Sequence, residues 1–194
     1  LKGLAKWRKR VGSDEANKIS TQSSRRGTRV HSIVEDYLNN NLNGQYDDNP
    51  LGLDMFTMIQ PTLDDRLDNI YAQEAGLYSD KYKVAGRVDC VSEYNGVPSV
   101  IDFKTSTKER KDDWNENYYI QGSAYAEMFQ ERTGIVISKV VILVVTEDGT
   151  VQEFVKNKYD YLDALTETVT EWRNQNEAPN NSVGGVSVDG MSNN

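Results

Sequence analysis

The longest apolar run in the chain, Val140–Val145, is six residues long and β-branched, the length of a strand and far short of the roughly 18 residues a membrane span needs. It sits within a wider apolar stretch, Ile135–Thr146, read as one strand, with Glu147-Asp148-Gly149 as a turn and Val151–Lys156 as a returning strand. Upstream, Asn69–Ser79, Tyr82–Glu93 and Val97–Thr105 each carry β-branched and aromatic residues between polar turns at Ser79-Asp80 and Tyr94-Asn95-Gly96, the pattern of an antiparallel three-strand meander.

Helical patterns surround these strands. Residues 1–11 read as a short basic helix with Leu4, Trp7 and Val11 on one stripe, and a longer helix runs from an N-cap at Ser13 to about Asn39. Asn39–Pro50 is a loop, 51–67 a helix interrupted or kinked at Pro61, and 106–117 a charged loop. A helix from about Tyr118 to Arg132 ends at Gly134, and a last one aligns Leu162, Leu165, Val169 and Trp172. The order predicts an α/β chain with a mixed central sheet flanked by helices, one domain over 1–177 with basic helices at 1–39, and a flexible tail over 178–194.

Composition narrows the function. Hydrophobic residues at 37% support a core, and a single cysteine, Cys90, excludes an internal disulfide, a Cys-based zinc site and a Cys₄ iron–sulfur cluster, with a reducing intracellular setting as the expectation. No signal-peptide pattern is present, although the chain opens at Leu1 rather than Met, which leaves a trimmed leader open. The net charge of −8 is unevenly spread: residues 1–30 hold nine Lys/Arg against Asp14 and Glu15, and the remainder is strongly acidic. This fits either a phosphate-contacting segment beside a carboxylate-rich site or two solvated faces of opposite sign.

Two aspartates occupy costly positions. Asp89 interrupts the apolar residues Val84, Val88, Cys90 and Val91; Asp102 interrupts Val100, Ile101 and Phe103. Period-2 geometry puts Asp102 and Lys104 on one strand face and Ile101, Phe103 and Thr105 on the other. One reading is a buried ion pair of Asp102 with Lys104 or Arg87. The other is a metal centre: the hairpin turn folds Asp89 alongside Asp102, two carboxylates can converge on Mg²⁺ or Mn²⁺, and Lys104, its pKa lowered beside a cation, can orient or deprotonate water. His31, the only histidine, shares a helix face with Thr28 and Glu35 and reads as a rim ligand or as a satisfied helix residue; Glu35 is equally a surface partner for Arg29 or Arg26.

The series Gly27-Thr28-x-x-His31-x-x-x-Glu35, Glu74, Gly86-Arg87-Val88-Asp89, Ile101-Asp102-Phe103-Lys104-Thr105-Ser106 and Gln121-x-x-x-Tyr125 resembles, in order and spacing, the RecB-like branch of the PD-(D/E)XK nucleases. Stand-alone phage exonucleases and the mitochondrial genome-maintenance exonuclease are among the members it resembles. The resemblance implies a restriction-endonuclease-like αβββαβ core and a Mg²⁺- or Mn²⁺-dependent deoxyribonuclease. It implies that His31, Asp89, Asp102 and the Phe103 carbonyl hold the metal and that Asp89, Asp102 and Lys104 are catalytic. Gln121 and Tyr125 would line the site and contact DNA, or else simply pack on the sheet; Glu74 would be a support or second-metal ligand; Glu35, Thr105, Arg25 and Arg26 would support the site or touch DNA. Here the family's Pro-Asp is Val88-Asp89.

The expected activity is exonucleolytic cleavage of single-stranded DNA or DNA ends to 5′-phosphate and 3′-hydroxyl products, in replication, recombination or repair. No helicase motif accompanies it, so it works alone or is recruited by unidentified proteins, in the host cytoplasm if the chain comes from a phage. A structure-selective endonuclease is the alternative within the fold. A silent nucleic-acid-binding scaffold is the alternative outside catalysis, disfavoured by the intact His31/Asp89/Asp102/Lys104 set. Trp7 is a candidate for stacking on an unpaired base or for simple packing.

Overall fold

The computed structural model describes residues 2–42, 50–176 and 186–187. Three helices come first, α1 (Lys2–Val11), α2 (Ser13–Leu38) and α3 (Pro50–Arg66). Strands β1 (Leu67–Ser79), β2 (Val84–Tyr94) and β3 (Val97–Ser106) follow, then a 3₁₀ turn at Asp112–Asn115 and helix α4 (Glu116–Thr133). Strands β4 (Lys139–Thr146) and β5 (Val151–Asn157), a second 3₁₀ turn at Lys158–Tyr161 and helix α5 (Leu162–Asn176) complete the body. Among the described residues no helix is long and apolar enough to cross a membrane.

The sheet order is β1-β2-β3-β4-β5, with β3 and β4 parallel and the other neighbours antiparallel. The mixed α/β architecture expected from the sequence is therefore the one adopted. Parallel pairing of β3 and β4 requires a crossover, and α4 supplies it. Val140–Val145 are all fully buried because β4 is covered on both faces: Val141, Leu143 and Val145 pack with α2 and α3, while Val140, Ile142 and Val144 pack with Tyr119 of α4. The same alternation in β3 sends Ile101 and Phe103 into the α2/α3 core. Cys90 is buried in that core too, where burial pushes its thiol up to about 12, and so it stays protonated.

Local differences from the sequence reading have local causes. β4 begins at Lys139 rather than Ile135, because Lys139 is the first residue with ladder partners, Ser99 on β3 and Asn157 on β5; Ile135 and Val136 are exposed. The cap of α2 is Gly12, not Ser13: the joint between α1 and α2 needs a φ of 88°, which glycine adopts without a Cβ clash. α3 continues through Pro61, and the charged loop 106–117 contains the first 3₁₀ turn. Asn95 and Gly96 both take left-handed φ values, 51° and 75°, and close the β2–β3 hairpin as their residue types predict. Of the tail read at 178–194, only 186–187 lie among the described residues. Val186 and Ser187 pair in parallel with Val84 and Ala85 of β2, on a stretch β3 does not reach.

Candidate active site

The site lies where two neighbouring strands part. The β2–β3 ladder runs from Tyr94↔Val97 to Cys90↔Ile101 and goes no further. The next backbone donor along β3, the N–H of Phe103, is taken by a side chain: Asp89 Oδ2 accepts it at 2.9 Å. One face further, the Lys104 ammonium lies 2.8 Å from Asp102 Oδ2. Asp102 Oδ2 is buried, and the Lys104 ammonium is the counter-charge it meets there. The period-2 placement of Asp102 beside Lys104, opposite Ile101 and Phe103, is the geometry found.

Helix α2 brings the third element. Its buried stripe Val30, Ile33 and Val34 seats it over β3 and β4, which aims His31 at the strand ends. A Cβ built on Gly27 would lie 3.6 Å from Thr105 Oγ1, so the helix passes close to β3 at this turn. Arg26 ties it down: its guanidinium pairs with Glu147 and donates from Nε to Thr105 Oγ1 at 3.3 Å. His31 Nδ1 stands 3.6 Å from Asp89 Oδ2, and its Nε2 meets the Phe103 carbonyl oxygen.

Glu74 of β1 completes the cluster. Its neighbours Gln73 and Ala75 pair with Cys90 and Val88, which places Glu74 opposite Asp89. It adopts a φ of 46°, a left-handed conformation that costs a non-glycine residue about 1 kcal/mol or more and concentrates at functional sites. Arg87 Nε donates to Glu74 Oε2 at 2.7 Å. Ligand atoms of His31, Glu74 and Asp89 all fall within 4.8 Å of one another. Two ligands on opposite sides of one Mg²⁺ are about 4.2 Å apart, so small side-chain movements would close the set. Carboxylates, a backbone carbonyl and one imidazole form a donor set suited to a hard divalent ion.

The electrostatics agree with that fit. Burial raises the Asp89 carboxyl well above the usual carboxylate range, the charge of Asp102 adds to the rise, and Lys104 offsets only part of it. Lys104 is pulled down by burial, but Asp102 and Asp89 outweigh that and leave its pKa above the ordinary lysine value. The lowered lysine expected beside a cation is thus reversed in the protein alone, since the aspartates are its nearest charges.

Other candidates divide. Thr28, His31 and Glu35 line one cleft of about 550 Å³ together with Glu74, Arg87 and Asp89, as a shared helix face predicts. Thr28 also borders a second cleft of about 870 Å³, lined by Arg25, Arg26, Arg29 and Thr107 among others. Gln121 and Tyr125 are buried in α4 and joined by a 3.2 Å hydrogen bond; neither borders these two clefts. Arg87, weighed as a partner for Asp102, donates to Glu74. Sequence reasoning missed Tyr118, whose ring lies 4.7 Å from the Lys104 ammonium and 5.2 Å from the Arg110 guanidinium. Its position just after a charged loop carried no periodic signal. Trp7 is half-buried on α1.

The family described as the PD-(D/E)XK nuclease superfamily matches residues 49–183. The human mitochondrial genome maintenance exonuclease 1 is 29% identical over 112 residues, 55% of this chain and 32% of its own length. The chain therefore spans about a third of that relative. Among solved structures, an exonuclease candidate from Eubacterium rectale superposes with a TM-score of 0.55 at 16% identity, covering 87% of this chain and 68% of the other, a likeness of fold.

Proposed function

The chain belongs to the PD-(D/E)XK nuclease superfamily, and from that premise we propose that it is a Mg²⁺- or Mn²⁺-dependent DNA exonuclease acting on single strands or free ends in replication, recombination or repair. The observation that carries the reading is the convergence of His31, Glu74 and Asp89 beside the Asp102–Lys104 pair, at the floor of a cleft large enough for a nucleotide.

His31, Asp89, Asp102 and the Phe103 carbonyl would hold the ion, with Glu74 in reach as a further ligand. The chemistry a divalent cation supplies at such a centre is polarisation of a phosphoryl oxygen and a lowered pKa of water. Lys104, held protonated by the two aspartates, supplies a fixed positive charge that orients the attacking water and offsets negative charge developing on the phosphate. Tyr118 keeps that ammonium in place from its other contact. Arg25, exposed at the second cleft, would carry the strand backbone away from the site; Arg26 is committed to Glu147 and Thr105 and holds α2 instead. Carboxylates at the centre with arginines along α2 fit a phosphodiester substrate despite the net charge of −8.

The test compares linear and circular single-stranded DNA of the same sequence with Mg²⁺, with Mn²⁺ and with EDTA. An exonuclease degrades the linear strand, spares the circle and stops in EDTA. Cleavage of the circle overturns the exonuclease reading in favour of an endonuclease, and no metal-dependent cleavage of either overturns the nuclease reading.

A further inference from the structure

Trp114 is the most exposed tryptophan among the described residues, 57% accessible, yet it stands on a turn pinned by side-chain hydrogen bonds. The 3₁₀ turn Asp112–Asn115 is held from three sides. Arg110 donates to Asn115 Oδ1 at 2.6 Å and to the Trp114 carbonyl at 2.9 Å; Asn115 itself is fully buried; and the Asp112 carboxylate accepts from Lys156 at 2.8 Å and from the Tyr119 hydroxyl at 2.9 Å. A large aromatic ring left in water on a pinned backbone keeps little backbone freedom for binding to remove.

The turn also leads directly to the reacting centre. Arg110, which holds Trp114 by its carbonyl, lies over the ring of Tyr118; the same ring touches the Lys104 ammonium, and Lys104 is paired with Asp102. The Lys111 ammonium lies over one face of the Trp114 ring, 5.6 Å from its centre, which leaves the other face for a base. An exposed aromatic ring with a cation over one face, linked through Arg110 and Tyr118 to the Lys104 ammonium, is a combination suited to an unpaired nucleotide: the base stacks on the other face and the phosphate meets the charge.

We propose that Trp114 is a base-stacking platform for an unpaired nucleotide of the substrate strand, with Lys111 serving its phosphate. This assignment rests on the nuclease reading for its substrate and adds a reason for preferring single strands. A base engaged in a duplex keeps its faces against its neighbours and cannot lie on the indole, whereas any unpaired base can. The platform is therefore selective for strandedness and tolerant of sequence.

The experiment measures binding in EDTA of a fluorescein-labelled oligothymidylate and of a strand of equal length containing an internal run of abasic residues. The parent chain, Trp114→Ala and Trp114→Phe are compared, with melting temperatures measured alongside. The parent should bind the oligothymidylate about 5- to 150-fold more tightly than the abasic strand, the range expected for one stacked base. Trp114→Ala should lose most of that ratio by weakening on the oligothymidylate alone, and Trp114→Phe should keep most of it. A parental ratio retained in Trp114→Ala, or no ratio in the parent, overturns the platform. Cleavage assays run in parallel keep the two readings apart: a parent that discriminates but never cleaves DNA overturns the nuclease and leaves the platform standing. A parent that cleaves while Trp114→Ala discriminates unchanged overturns the platform alone.

Discussion

Asp89 accepts the backbone N–H of Phe103 at the point where the β2–β3 ladder ends, so one carboxylate replaces the strand partner that β3 has lost. The same oxygen lies 3.6 Å from His31 Nδ1. A residue that bridges two strands where their ladder ends is thereby also placed at the candidate metal centre, and its substitution should separate the two roles.

Asp89→Asn keeps an oxygen able to accept from Phe103 but removes a charge that burial and Asp102 both disfavour. Because the folded-state pKa is raised, the parent's Asp89 favours folding below the unfolded value near 3.8 and loses that contribution as pH rises through the folded value. The metal-free variant should therefore melt higher than the metal-free parent at pH 7, with the gap closing toward pH 4, while binding Mn²⁺ more weakly. Thermal melts at several pH values, with EDTA and with Mn²⁺, check this; a variant that melts lower at pH 7 with unchanged metal affinity points to a purely structural aspartate.

Asp102→Ala and Lys104→Ala should each lower cleavage by ~10²-fold or more while the protein remains folded, because both groups act on developing charge or on what holds it. Single-turnover rates, with circular dichroism as the fold control, decide it. Activity within a few-fold of the parent in either variant removes that residue from the mechanism.

His31→Ala and Glu74→Gln test the two ligands that come from outside β2 and β3. Loss of one ligand should leave Asp89 and Asp102 able to hold a cation, so each variant should recover activity at higher Mn²⁺, with the half-saturating concentration raised about tenfold or more. Overlapping Mn²⁺ titrations of parent and His31→Ala would return His31 to a helix-face role.

Gly122→Ala addresses packing rather than chemistry. A Cβ there would lie 2.3 Å from Val140 Cγ1, and Val140 is a stiff side chain in the fully buried β4 core. The substitution should cost about 1–3 kcal/mol by overpacking, and Val140→Ala in the same chain should recover part of it. Denaturant melts of the two single variants and the double variant measure the coupling.

Much of this was legible along the chain because it depends on local periodicity. Alternation placed Asp102 and Lys104 on one face, the six-residue apolar run marked β4, and Asn95-Gly96 announced the hairpin that sets Asp89 opposite Asp102. The helix spacing of Thr28, His31 and Glu35 likewise put all three on the cleft. Tertiary structure alone decided which charges share a cavity. Glu74 joins His31 and Asp89 through the pairing register of β1 with β2, and Arg26 is spent on Glu147 and Thr105 because α2 crosses the end of β3 there. The most exposed tryptophan among the described residues is Trp114 rather than Trp7, since one stands on a turn braced from beneath and the other is half-buried on a helix. A repeat of two or of 3.6 residues tells a side chain which face to take, but where two faces meet is set by how whole elements pack, and that information is spread over the entire core.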